Sequence, residues 1–285
     1  MESSNFLAGI IEKKRGRLAV AKAARAPEEV RREALAVRAN ARRHAFRASL
    51  ERADRVNVIA EFKRASPSKG EIRVGASAGE TARAYERGGA AAISVLTEED
   101  HFRGSLRDLA EVKRSTRLPV LRKDFIFDEY QIYESAAARA DALLLIVAAL
   151  DDDALARLLG LAEDELGMDA LVEVHTAEEM ARARGAGARV VGVNNRDLRT
   201  FEVRLETSVE LAAHADAAGS LLVSESGIRG AEVIRRLRAC GYGAFLVGET
   251  LMRAGRPDEA LRSLTGADGD GLTSENEGGP ASEAS

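Results

Sequence analysis

The chain is short of several things. It has one cysteine (Cys240), no tryptophan, five prolines and only 4 % aromatic residues among 285 positions. A lone cysteine excludes an intrachain disulfide and any zinc site built on several thiolates. The longest apolar run, Ala142 to Leu150, has nine residues, whereas roughly 18 or more are needed to cross a bilayer. The opening Met1-Glu2-Ser3-Ser4-Asn5 lacks the basic stretch and long apolar core of a signal peptide. Together these absences lead to the expectation of a cytoplasmic protein with no membrane partner. Lysine is scarce too, with seven against 35 arginines. An arginine is effectively always protonated, whereas a lysine can be tuned by burial. A lysine at the end of a strand therefore asks for a chemical reason.

What is present is ordinary for a globular chain. With 45 % hydrophobic and 31 % charged residues, a wholly disordered or collagen-like protein is excluded. The net charge of −4 is uneven: residues 1–55 hold 14 Lys/Arg and 7 Asp/Glu (+7), residues 266–285 hold five acids and no base (−5), and the middle carries −6. The N-terminal cations stand among alanines and leucines at helical spacing, with acids between them. They read as a solvated helix face rather than a nucleic-acid surface.

Residues 5–55 read as helix with one break near Ala26-Pro27. Phe6, Leu7, Ile10 and Ile11 form an apolar patch at helical spacing, and Pro27-Glu28-Glu29 is a helix start. From Val56 a rhythm begins. Strands are expected at Val56–Phe62, Ala91–Leu96, Leu118–Arg122, Ala142–Val147, Asp169–Val174, Arg189–Val193, Leu221–Ser224 and Ala244–Val247. Amphipathic helices are expected between them at Ala78–Arg87, Glu129–Ala138, Asp152–Glu165, Ala177–Arg184, Leu205–Ala217 and Gly230–Cys240. Such alternation forces parallel strands with right-handed crossovers. Eight units match a closed (β/α)8 TIM barrel, an α/β fold. A doubly wound open sheet is the alternative, but no G-x-G-x-x-G follows the first strand. The expected division is an N-terminal helical extension (1–55), a barrel (56–265) and a disordered acidic tail (266–285).

In such a barrel the active site lies at the C-terminal ends of the strands. Those ends carry Glu61 and Lys63, then Lys123, Glu173, Asn194 with Arg196, Glu225 with Ser226 and Gly227, and Gly248 with Glu249. Ion-pair networks occur at barrel ends as well, but so many acids and amines at one mouth speak for chemistry. The glycine turns after strands seven and eight, at Gly227 and Gly248, let the backbone approach an anion, and Ser226 adds a hydroxyl donor. That pattern favours a phosphate.

These residues resemble the indole-3-glycerol phosphate synthase family of tryptophan biosynthesis. The resemblance covers roughly Phe6 to Pro257. It rests on Ile59-Ala60-Glu61-Phe62-Lys63-Arg64-Ala65-Ser66-Pro67-Ser68, on Ser94-Val95-Leu96-Thr97-Glu98 with Phe102-Arg103-Gly104-Ser105, and on Leu121-Arg122-Lys123-Asp124-Phe125. It rests further on Gly192-Val193-Asn194-Asn195-Arg196-Asp197-Leu198, on Ser224-Glu225-Ser226-Gly227-Ile228 and on Val247-Gly248-Glu249-Thr250-Leu251-Met252. The implied reaction closes the ring of 1-(2-carboxyphenylamino)-1-deoxyribulose 5-phosphate with loss of carbon dioxide and water. Lys123 would be the general acid, its pKa lowered by Lys63 as a neighbouring cation. Lys63 would hold the substrate carboxylate, and Glu61 would position it. Glu173 would stabilise positive charge on the anilino nitrogen and take a proton during dehydration. Asn194 would serve the ribulose hydroxyls, Glu225 the hydroxyls or the lysine network, and Arg196 a loop or an anionic group. Ser66, Ser226, Gly227, Gly248 and the Glu249 backbone would hold the phosphate. Phe102 and Phe125 would wall an aromatic pocket.

The implied partner is a small phosphosugar. No cofactor, metal or nucleic acid enters the reading, and contact with other tryptophan-pathway enzymes is left open. His44, His101, His175 and His214 show no metal-ligand spacing, and His175, though near the mouth, is read as non-catalytic. Cys240 is read as a buried thiol. The rival activities are a Schiff-base aldolase using Lys123 or Lys63 and a non-catalytic nucleic-acid binder. The acidic tail has no counterpart in the family pattern. Ending the chain after Thr265 should therefore leave activity and melting temperature nearly unchanged; a clear drop in either shows that the tail docks on the barrel.

Overall fold

The computed structural model describes residues 5–215 and 219–266; the expected tail beyond Gly266 lies outside the described residues. Eight strands, β1 (Asn57–Phe62), β2 (Ala92–Leu96), β3 (Val120–Lys123), β4 (Ala142–Ile146), β5 (Asp169–Val174), β6 (Val190–Asn194), β7 (Leu221–Glu225) and β8 (Ala244–Val247), follow one another along the chain. Each pairs in parallel with the next, and β8 pairs back onto β1 with Ala244 beside Asn57. The sheet is thus a closed barrel and not the open alternative. Parallel strands are buried on both faces and read as aliphatic runs, and every predicted strand lies within two residues of these bounds.

The helices that return the chain are α4 (Ala78–Arg87), α5 (Leu106–Ser115), α6 (Glu129–Ala137), α7 (Asp152–Gly160), α8 (Ala177–Gly185), α9 (Glu206–Ala212) and α10 (Ala231–Ala239), followed by α11 (Glu249–Arg253) and α12 (Pro257–Thr265). Five of them start on a side-chain cap: Ser77, Ser105, Asp128, Asp151 and Thr176 each accept a backbone N–H of the first turn. Such caps satisfy donors that the helix itself leaves open. Three of these helices, α5, α11 and α12, are additional to the sequence reading. The helix expected to run to Glu165 widens into a π-turn over Leu161–Glu165. The one expected to reach Ala217 ends at Ala212, and residues 216–218 lie outside the described residues.

The N-terminal segment departs most from expectation. It holds three helices, α1 (Asn5–Ala24), α2 (Pro27–Ala39) and α3 (Ala45–Leu50), with a second break in which His44 takes a left-handed φ of 51°. No glycine or proline marks that break. His44 Nδ1 sits 3.1 Å from Asp169, and the Arg47 N–H donates to the other Asp169 oxygen at 2.9 Å. Asp169 opens β5, so α3 lies under the bottom of the barrel. There Phe46 and Leu50 are fully buried.

Side chains alternate faces along a strand, and the alternation sorts two cores. Val58, Ala60 and Phe62 of β1, Val172 and Val174 of β5, and Val191 and Val193 of β6 pack outward against the helices. Ile59, Leu121, Leu144, Leu171, Val190, Val223 and Leu246 fill the interior with Phe46 and Leu50 below and Ile10 above. α1 crosses the opposite end from α3. Lys14 forms a buried ion pair with Asp124 at 2.6 Å, and Lys22 meets Asp128 at 2.8 Å.

Asp124 is the anchor of that crossing. Besides Lys14 it pairs with Arg122 at 3.1 Å, accepts from the Thr97 hydroxyl at 2.6 Å and takes the Phe125 N–H at 2.8 Å. Burial would raise its pKa, but Arg122 and Lys14 outweigh that and hold it below the usual carboxylate value. Removing one partner of a buried pair leaves the other charges uncompensated. Asp124→Ala should therefore cost about 3–5 kcal/mol of stability in urea denaturation, and a loss below about 1 kcal/mol, the range of exposed pairs, refutes the anchoring role.

Candidate active site

The same alternation aims the chemistry. Two residues beyond the interior Ile59, Leu121, Leu171 and Val223 come Glu61, Lys123, Glu173 and Glu225, all on the inner face. Asn194 ends β6 in the same phase as Val190. These groups border a cavity of about 910 Å³ at the C-terminal mouth. All the expected site residues line it: Lys63, Ser66, Arg196, Ser226, Gly227, Gly248, Glu249, Phe102 and Phe125 join the five just named.

At the centre stands the Lys123 ammonium, 3.0 Å from Glu173 Oε2 and 3.1 Å from Glu225 Oε2. Beside it, Lys63 pairs with Glu61 at 2.6 Å. The expected lowering of the Lys123 pKa by Lys63 is not what the geometry produces. Burial does push the amine down, but Glu173, Glu225 and Glu61 together outweigh it and hold it above the ordinary lysine value. Lys63 is itself neutralised by Glu61, so its field at Lys123 is small. Glu173 shows the converse: burial would raise it, yet Lys123 and His175 keep it below the normal carboxylate value. Glu225 is pushed up to about 7, because burial and the Glu173 charge exceed the pull of Lys123. The mouth thus holds a charged ammonium, an ionised carboxylate and a carboxyl that titrates near neutrality. This is the separation of pKa values that acid–base work needs.

Two glycines make room for this cluster. A Cβ at residue 192 would collide with Glu225 Oε1, and one at residue 248 with Glu61 Oε1. Gly248 therefore has a packing task beyond the turn that the sequence suggested. Ser226 is held in left-handed backbone with φ 66° and donates to Asn194 Oδ1 at 2.9 Å. The Arg196 guanidinium donates to the Phe201 carbonyl at 3.0 Å and so braces the loop after β6. Phe102 and Phe125 both line the cavity as neighbours, with ring centroids 6.5 Å apart and planes tilted by 44°.

Several residues come to the site that sequence reasoning left out. Phe201, on the loop after β6, meets Phe6 edge-on at 5.0 Å over the mouth. Arg229 and Arg253 border the cavity at the glycine-turn side. His175, which the sequence placed near the mouth and read as non-catalytic, lies 3.4 Å from Glu173. Cys240 is partly exposed at the C-terminus of α10 rather than buried.

A closed (β/α)8 barrel with paired amines and carboxylates at its C-terminal mouth defines an acid–base enzyme. The family model for indole-3-glycerol phosphate synthase matches residues 7–264. The chain is 51 % identical over 210 residues to an indole-3-glycerol phosphate synthase of Carboxydothermus hydrogenoformans, covering 74 % of this chain and 79 % of that one. It is also 51 % identical over 212 residues to that of Rhodococcus opacus, covering 74 % and 78 %. Among solved structures it resembles thiamine phosphate pyrophosphorylase from Pyrococcus furiosus, with a TM-score of 0.55 at 18 % identity over 73 % of this chain and 93 % of that one. This last likeness is one of fold alone. The chain belongs to the indole-3-glycerol phosphate synthase family. Its activity is that of a carboxy-lyase of tryptophan biosynthesis, which closes, decarboxylates and dehydrates 1-(2-carboxyphenylamino)-1-deoxyribulose 5-phosphate to indole-3-glycerol phosphate. Among the described residues no helix is long and apolar enough to cross a membrane.

The Glu225 carboxyl predicts a pH effect on stability. Folded, it keeps its proton to about pH 7; its ordinary value is 4.5. Folding therefore binds a proton between these values, and stability falls as pH rises through that window. Glu225→Gln has no such titration. Relative to this variant, the unaltered chain should lose on the order of 3 kcal/mol between pH 4.5 and 7 and little above. A difference in urea stability that is constant with pH refutes the raised pKa.

Proposed function

We propose that Lys123 is the general acid of ring closure and that Glu173 is the carboxylate that carries the charge of the later steps. The observation behind this is the buried contact of the Lys123 ammonium with Glu173 inside the cavity. When the aryl carbon attacks the ribulose carbonyl, the oxygen becomes an alkoxide. An ammonium already charged at neutral pH can protonate it, because an alkoxide is the stronger base even against a lysine of raised pKa. Lys63, oriented by Glu61, holds the substrate carboxylate. As the ring closes, positive charge develops on the anilino nitrogen, and the ionised Glu173 stabilises it in a site shielded from water. Carbon dioxide then leaves, and its bonding pair returns to the ring. The departing hydroxyl takes a proton from a lysine ammonium, and Glu173 accepts the one released as the indole forms.

Binding roles follow the same reading. The Asn194 oxygen is occupied by Ser226 and by the Arg196 N–H and its amide group also donates toward Glu173, so the second amide N–H is the part left to ribulose hydroxyls, with Glu225 alongside. Ser66, Ser226, Gly227, Gly248 and the Glu249 N–H receive the phosphate. Phe102 and Phe125 wall the pocket for the aromatic ring, and Arg196 sets the loop over it. Residues 1–55 act as an extension of the barrel, in which α1 with Phe6 and Leu7 closes the mouth over substrate. The N-terminal cations Arg17, Arg25 and Arg31 meet Asp100, Glu33 and Glu165, which supports a solvated face without a nucleic-acid partner. A cytoplasmic setting suits a substrate whose phosphate and carboxylate keep it from crossing membranes unaided.

Lys123→Arg keeps the charge but replaces a compact ammonium by a planar guanidinium that cannot occupy the same point between Glu173 and Glu225. It should lower kcat by about 10²–10⁴-fold with KM little changed. Product fluorescence is the assay, and a rate within about threefold of the unaltered chain removes Lys123 from the role of acid.

A further inference from the structure

His175 leaves the end of β5 two residues after Glu173. Its Nε2 lies 3.4 Å from Glu173 Oε1 and, among the described residues, has no hydrogen-bond partner. On the other side, its Nδ1 lies 3.2 Å from Glu179 Oε2, and its backbone N–H donates to the same oxygen at 2.7 Å. Glu179 sits in the first turn of α8, and its side chain is 17 % exposed against 2 % for Glu173. A file of titratable atoms therefore runs inward from solvent: Glu179, His175, Glu173 and then Lys123.

The reaction needs such a file. Two protons are given to oxygen, one at the ribulose carbonyl and one at the departing hydroxyl. One is recovered from the ring carbon beside nitrogen as the indole forms. The carboxylate leaves as carbon dioxide without taking a proton. Each turnover thus draws one proton from water, at a moment when substrate fills the mouth above Lys123.

We propose that His175 is the proton-relay residue of this site, passing a solvent proton through Glu173 to Lys123. This rests on the roles given above to Lys123 and Glu173. The imidazolium gives its Nε2 proton to Glu173 Oε1, and Glu173 gives a proton to the neutral Lys123 amine from its other oxygen. The neutral ring left behind regains its proton from solvent at the Glu179 rim before the next turnover. The charges that face the ring favour its loaded form. Burial pushes the imidazole down, but Glu179 from α8, Glu173 on its own strand and Glu225 from β7 outweigh it and raise its pKa. Lys123, across Glu173, is the one cation of the file. His175 touches no reacting atom; it acts through Glu173.

The test is His175→Gln, which keeps a hydrogen-bonding side chain but cannot titrate. The expected result is a kcat lowered by about tenfold or more, KM within about twofold, and partial recovery of kcat on adding imidazole to the buffer. A kcat within about twofold of the unaltered chain, or a loss that imidazole does not relieve, overturns the proposal. Should this variant fail to fold, Glu179→Gln at the rim carries the same test, with a kcat loss that imidazole relieves as the supporting result and none as the overturning one. Glu173→Gln is measured alongside. If it retains normal kcat, the parent reading of Glu173 is what fails; if it is inactive while His175→Gln is normal, only the relay fails.

Discussion

The two-residue period of a parallel strand is the constraint on which this molecule depends. Along β1, β3, β5 and β7 the inner face is apolar lower down and charged at the end. Leu121 is followed by Lys123, Leu171 by Glu173 and Val223 by Glu225. Closure of the barrel points those last residues at one another. The lower layers keep water out from below, and α3 seals the floor with Phe46 and Leu50. A slip of one residue in any strand would send its terminal charge outward among the helices.

The charges gathered in this way are costly to bury and are balanced locally. Lys123 answers Glu173 and Glu225, and Lys63 answers Glu61. Glu225 Oε1 is among the buried polar atoms that have no partner among the described residues, which accords with a carboxyl that prefers to hold its proton. Removing one member of such a cluster leaves the others uncompensated. The site therefore carries strain of an electrostatic kind, which is common where function and stability compete.

Much of this was legible in the residues. Buried parallel strands announce themselves as aliphatic runs, and the barrel rule turned strand ends into the lining of a real cavity. Other elements were missed. α5 carries Leu109 and Val112 at helical spacing behind the Ser105 cap, as clear a pattern as in the helices that were predicted, but it is short and three-tenths basic, whereas the His44 break carries no glycine or proline to mark it. The error over Lys123 has a physical origin. A sequence supplies the types of charge at a mouth, but pKa values follow from which charges touch, and Lys63 proved to be spent on Glu61. His175 was passed over for a related reason: its neighbour Glu179 stands across a strand-to-helix turn, and only the folded turn brings the two carboxylates to opposite sides of one ring.

The glycines at 192 and 248 have a consequence for how such a chain can diverge. Each stands where a carboxylate oxygen of another strand occupies the space of a missing methyl group. The atom in the way is in each case the end of a flexible side chain that borders the cavity, so an added methyl group is accommodated by moving the carboxylate. Alanine at 192 therefore shifts Glu225 beside Lys123, and alanine at 248 shifts Glu61 beside Lys63. Positions 192 and 225, and likewise 61 and 248, form two coupled pairs in which a change at one member is felt at the other.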